Sequence, residues 1–125
     1  MEALYLKPTS DTPGITFDPA TDHFEIIGRS FPEDSAEFFI PVLSWVDRYS
    51  KKTNPETKFI FKLEYFNSSS YKPFLDILLK LSQLRKNGQK VTILWCYKED
   101  DWDMKEAGEE FEEIVNIPFN YATFK

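Results

Sequence analysis

The chain has 125 residues, 42% of them apolar and 17% aromatic, which supplies one packed core and suits one domain spanning residues 1–125. Its 15 basic and 21 acidic side chains leave a net charge of -6, which works against the phosphate contacts that dominate binding to nucleic acid or to an anionic membrane. No basic start leads into an apolar block and no apolar run is long enough to cross a bilayer, so the expectation is a cytoplasmic protein with protein partners, no nucleic acid and no membrane insertion.

Leu4 to Leu6 alternates weakly and is cut off by Pro8, Pro13 and Gly14, which predicts a short strand and a loop. Ile15 to Asp18 and His23 to Gly28 flank the turn residues Pro19-Ala20-Thr21-Asp22 and predict a β-hairpin. His23 is the only histidine and has no companion at ligand or catalytic spacing, so it reads as an ordinary surface side chain.

Pro32-Glu33-Asp34-Ser35 offers capping side chains before Phe38, Val42, Val46 and Tyr49, whose spacing predicts a first long helix ending at Asn54-Pro55. Pro41 removes one of its hydrogen bonds, so the helix is expected to start late or to bend there. Lys58 to Phe66 is a strand rich in aromatic and β-branched residues. Phe74, Ile77, Leu78, Leu81 and Leu84 then mark a second helix, with Pro73 in its first turn and Asn87-Gly88 as its stop.

Val91 to Tyr97 is a further buried strand, and strand, helix and strand form a unit whose crossover should be right-handed and whose strands should be parallel. Cys96 within it reads as a buried reduced thiol, and a lone cysteine builds no zinc site. Met104, Ala107, Gly108, Phe111 and Val115 give a third helix one apolar stripe, with Gly108 placed for close approach to the sheet. Ile117-Pro118 closes that helix and Phe119 to Phe124 is a last strand. The fold class is α/β, a mixed sheet of about five or six strands with helices mainly on one face.

Asn67-Ser68-Ser69-Ser70 sets a row of hydroxyls at the mouth of the second helix, where unpaired N–H groups and the helix dipole favour an anion. Capping needs only one of the three serines, for about 1 kcal/mol. Serine catalysis lacks a base, since no Gly-x-Ser-x-Gly elbow is present and Lys72, which completes Ser-x-x-Lys after Ser69, sits in an exposed turn beside Pro73. The glycine-rich frame of a phosphate-cradling loop is also absent. The acidic clusters Glu99 to Asp103 and Glu109 to Glu113 read as a solvated helix face, with an acidic docking surface as the sharper alternative. They lack the glycine and distal glutamate of a calcium loop. Trp45 and Trp95 fall in core patterns, and Trp102 is the tryptophan placed to be exposed. No metal, cofactor or catalytic residue is expected.

Ser30-Phe31-Pro32-Glu33-Asp34-Ser35, Trp45-Val46-Asp47-Arg48, Tyr65-Phe66-Asn67-Ser68-Ser69-Ser70, Gly108-Glu109-Glu110-Phe111 and Ile117-Pro118-Phe119 together resemble the SiaC family of regulatory phosphoproteins over nearly the whole chain. The resemblance implies a fold similar to the STAS domains of anti-anti-sigma factors and a non-enzymatic role in a partner-switching circuit. It implies a dedicated protein kinase, a PP2C-type phosphatase and a target protein bound by the unmodified form, which in the best-known branch is a diguanylate cyclase that binding activates. The family's modified hydroxyl follows the asparagine of the turn and falls on Ser68, where the better-known form has threonine. The binding surface is then expected at Asn67, Ser68, Ser69, Ser70 and Tyr71, with Asn67 shaping the turn, Ser69 or Ser70 capping the helix and Tyr71 offering an aromatic contact. The rival reading is a small enzyme or ligand-binding domain that takes a phosphorylated metabolite at the mouth formed by Ser68 to Ser70.

Overall fold

A computed structural model describes all of residues 1–125. Strands β1 (Leu4–Leu6), β2 (Gly14–Asp18) and β3 (His23–Ser30) form an antiparallel meander. Helix α1 (Ser35–Tyr49), β4 (Glu56–Phe66), α2 (Ser68–Lys86), β5 (Lys90–Lys98), α3 (Trp102–Val115) and β6 (Phe119–Phe124) follow, and β3 to β6 lie parallel. The six strands stand in sequence order, β1-β2-β3-β4-β5-β6. Each helix therefore crosses over to the next strand in the same direction, and the right-handed rule puts all three on one face of the sheet. Their N-termini consequently gather at the carboxyl ends of the parallel strands.

Burial follows the period of two expected of a sheet covered on one side. Thr57, Phe59, Phe61 and Leu63 of β4 are buried, whereas Lys58, Lys62 and Glu64 are exposed. The buried apolar residues form one cluster that includes Phe24, Trp45, Phe61, Phe74, Trp95 and Phe111. Trp45 and Trp95 are core and Trp102 is 65% exposed, as their patterns predict. Cys96 is a free buried thiol, and burial pushes its pKa up. Gly108 lies against the Trp95 ring, where a Cβ would come within 2.6 Å of the indole. That close approach sets the distance of α3 from the sheet.

The prolines and helix ends show where local signals gave way. Asp34 caps α1 by accepting from the Glu37 N–H at 3.1 Å, and the helix runs through Pro41 without a late start. It ends at Tyr49, five residues before Asn54. The Asn54 side chain instead donates to the Pro19 carbonyl at 2.9 Å, and its N–H donates to the Tyr49 hydroxyl. Gly88, at φ +93°, ends α2 as expected, and Asn116, in the left-handed region at φ 58°, stops α3 just before Ile117-Pro118.

Candidate functional site

The site begins with an irregularity in the sheet. Gly28 pairs with Leu63 and Arg29 with Tyr65, so Glu64 is an extra residue in β4 and the strand bulges there. A bulge of one residue reverses which side later side chains face. Phe66 consequently turns toward the helices, with its ring 5.4 Å from Phe74 and 6.2 Å from Phe111. Tyr65 is left 45% exposed beside Arg29. The chain enters the serine turn from this kink.

Each hydroxyl of the turn has a different occupation. Asn67 is the N-cap of α2, and its side-chain oxygen accepts from the Ser69 N–H at 3.1 Å and from the Ser69 hydroxyl at 2.6 Å. This corrects the expectation that Ser69 or Ser70 caps the helix. Both residue types suit the position, but the helix begins two or three residues earlier than that assignment needs. Ser70 is fully buried, and its hydroxyl lies 2.7 Å from that of Ser30 and 3.0 Å from the Ser30 carbonyl. It therefore cannot present its side chain to a partner, as the sequence reading expected, and instead ties the turn to the end of β3. Tyr71 is half-buried, stacked on Phe111 with ring centroids 5.0 Å apart.

Pro73 is the sixth residue of α2, deeper than the first turn. It has no N–H to give to the carbonyl four residues back, that of Ser69. The Ser35 hydroxyl donates to that carbonyl at 2.6 Å, which joins the start of α1 to the start of α2. Ser68 alone remains. It is exposed, and its hydroxyl makes no hydrogen bond within the protein, while those of Ser35, Ser69 and Ser70 are all engaged.

The electrostatics suit an added anion, because the first turn of α2 carries no acidic side chain and lies at the positive end of the helix dipole. The same turn is poorly equipped for catalysis. Lys72 is 76% exposed and pairs with Asp76 at 2.8 Å, so it activates no hydroxyl. His23 opens β3, at the opposite end of that strand from Ser30 beside the turn, and pairs with Glu25 at 3.4 Å. The surface hollows of about 350, 420 and 500 Å³ are lined by other residues, around Lys62, Lys90 and Arg48, and not by Ser68, Ser69 or Ser70. No helix is long and apolar enough to cross a membrane.

The cap should be measurable. Asn67→Ala leaves the Ser69 N–H without its acceptor and should lower stability by about 1 kcal/mol, with a range of roughly 0.5–2. Urea unfolding followed by circular dichroism checks this. An unchanged midpoint would mean that the cap contributes nothing to holding the turn.

The model of a family described as SiaC family regulatory phosphoprotein matches residues 6–124. An uncharacterised protein of Pseudomonas aeruginosa is 33% identical over 119 residues, covering 95% of this chain and 94% of the relative. The crystal structure of apo-SiaC from Pseudomonas aeruginosa superposes with a TM-score of 0.88 at 33% identity, covering 98% of this chain and 99% of the other. A crystal structure of the diguanylate cyclase SiaD in complex with its activator SiaC, also from Pseudomonas aeruginosa, contains a chain that matches with a TM-score of 0.90 at 31% identity, covering 97% of this chain and 99% of that one.

Proposed function

We propose a function that proceeds from one premise: the chain belongs to the SiaC family of regulatory phosphoproteins. In this reading it is a non-enzymatic switch whose unmodified form binds and regulates a diguanylate cyclase. A dedicated kinase phosphorylates Ser68 and blocks that binding, and a PP2C-type phosphatase restores it. The target class is carried over from the Pseudomonas aeruginosa relative, which activates a diguanylate cyclase and shares this fold. Support for Ser68 as the switch comes from a single observation. Its hydroxyl is the only one of the turn that is both exposed and unengaged, so a kinase can take it without breaking a contact that holds the fold.

The test is to purify the diguanylate cyclases of the source organism and titrate each with unmodified protein while following cyclic-di-GMP synthesis. One cyclase should change its rate saturably on complex formation. If none binds and none changes rate, the target class is wrong.

A further inference from the structure

We propose that the free edge of β6, with the flank of α3 above it, pairs with the same surface of a second copy of the chain and joins the two sheets into one. The pairing uses none of the residues of the serine turn. The two edges of the sheet are built differently. β1 has three residues and runs into Pro8, which blunts it, whereas β6 has six residues and carries no charge, proline or bulge. Hydrogen bonding shows which groups β6 leaves open. The Ile93 N–H donates to the Pro118 carbonyl at 3.4 Å and the Glu99 N–H to the Phe124 carbonyl at 2.9 Å, so the even-numbered residues of β6 turn their backbone groups toward β5. Phe119, Tyr121 and Thr123 therefore turn theirs outward. The Glu112 carboxylate accepts from the Phe119 N–H at 2.9 Å, and the backbone groups of Tyr121 and Thr123 have no partner.

Two observations select a second copy as the occupant. The first is register. Antiparallel pairing about a two-fold axis at Ala122 sets Tyr121 of each strand opposite Thr123 of the other, a pair that exchanges both N–H···O bonds, and it leaves the bond from Phe119 to Glu112 intact. The second is the flank of α3. The axis stands perpendicular to the sheet, so the helices of both copies lie on one side of it and the two α3 helices run antiparallel. Lys105 and Glu112 both reach Tyr121 of β6, and spacing of three and four residues puts Trp102 and Glu109 on the same stripe of the helix. Trp102, 65% exposed, and Lys105 stand toward its amino end and Glu109 and Glu112 toward its carboxyl end. Antiparallel stripes therefore bring Trp102 and Lys105 of each copy against the carboxylates of the other. An exposed tryptophan beside an unpaired strand supplies the large anchor on which such contacts centre. A lone extended segment of another protein would satisfy Tyr121 and Thr123, but nothing in it answers the α3 flank.

The test is sedimentation equilibrium of the full chain over a wide range of concentration, with amide hydrogen exchange read on the same samples. The mass should rise from one chain toward two. The Tyr121 and Thr123 amides should exchange fast in dilute protein and slowly in concentrated protein, whereas those of Ala122 and Phe124, which face β5, should be protected throughout. Thr123→Pro removes an outward N–H that the fold does not use and should weaken association at least tenfold, while Thr123→Val keeps that N–H and should not. Trp102→Glu should also weaken it at least tenfold, with an unchanged melting temperature in dilute protein because the side chain is exposed, and it carries the test if the proline variant fails to fold. A single-chain mass at every concentration overturns the proposal. So does a dimer whose Tyr121 and Thr123 amides stay fast, or one undiminished by Trp102→Glu.

Discussion

Phosphorylated Ser68 should bind the target about a hundredfold or more weakly than the free serine while the domain melts at nearly the same temperature. Phosphate adds a charge of about -1.5 to -2 at neutral pH, and at a helix N-terminus that charge is favourable by roughly 0.3–1 kcal/mol. Nothing in the fold opposes it: Ser68 is exposed, its hydroxyl has no partner to lose, and no acidic side chain shares the first turn of α2. At a packed interface the balance reverses. The dianion has to be stripped of water, and like charges placed together cost several kcal/mol. A hundredfold loss needs only ~2.7 kcal/mol, so the interface effect exceeds the helix effect and has the opposite sign. Calorimetric titration of the cyclase with both forms, beside their melting curves, measures the two separately. Equal affinities would remove the switch, and lost binding accompanied by a collapsed melting transition would mean that phosphate acts by unfolding.

Gly108→Ala should destabilise the protein although alanine is the better helix former. Relief of glycine's entropy favours the substitution by about 1 kcal/mol. Against it, the new methyl would stand 2.6 Å from two atoms of the Trp95 indole. That ring cannot retreat, because Trp95 is fully buried and its Nε1–H donates to the Met104 carbonyl at 2.9 Å. Overpacking costs roughly 1–3 kcal/mol, and an approach of 2.6 Å against a held ring belongs in the upper half of that range, about 2–3 kcal/mol, so the net result should be a loss of about 1–2 kcal/mol. For a chain of this size that lowers the melting temperature by roughly 3–10 °C in thermal unfolding followed by circular dichroism. A melting temperature raised by the substitution would show that α3 can slide away from the sheet.

The features legible in the sequence were those written in short-range periodicity. The alternation of Phe59, Phe61 and Leu63, the stripe from Phe74 to Leu84 and the stop at Asn87-Gly88 each depend on neighbours a few residues away, and the strands and helices fall where these signals put them. The parallel pairing of β4 with β5 followed from the helix between them. What escaped depends on distant residues. Ser70 reads as an exposed polar residue until Ser30, forty positions earlier, is brought against it at the end of β3. The bulge at Glu64 leaves no mark in the sequence, because the two residues that follow, Tyr65 and Phe66, are both aromatic and either suits the core, so the inward turn of Phe66 could not be foreseen. The acceptor left free by Pro73 was readable in principle, but its donor, Ser35, lies on another helix. At the turn itself the sequence reading divided the tasks differently from the structure, in which Asn67 caps and Ser70 is an internal fastener.

These contacts leave Ser68 the one hydroxyl of the turn that is exposed and without a partner, and the proposed switch depends on that. The direct measurement is peptide mass spectrometry of the protein after treatment with its cognate kinase, run in parallel on Ser68→Ala. The account predicts one dominant phosphate, on Ser68, and an unmodified variant. A dominant phosphate on Ser69 or Ser35, whose hydroxyls are already engaged, or undiminished phosphorylation of Ser68→Ala, would contradict it.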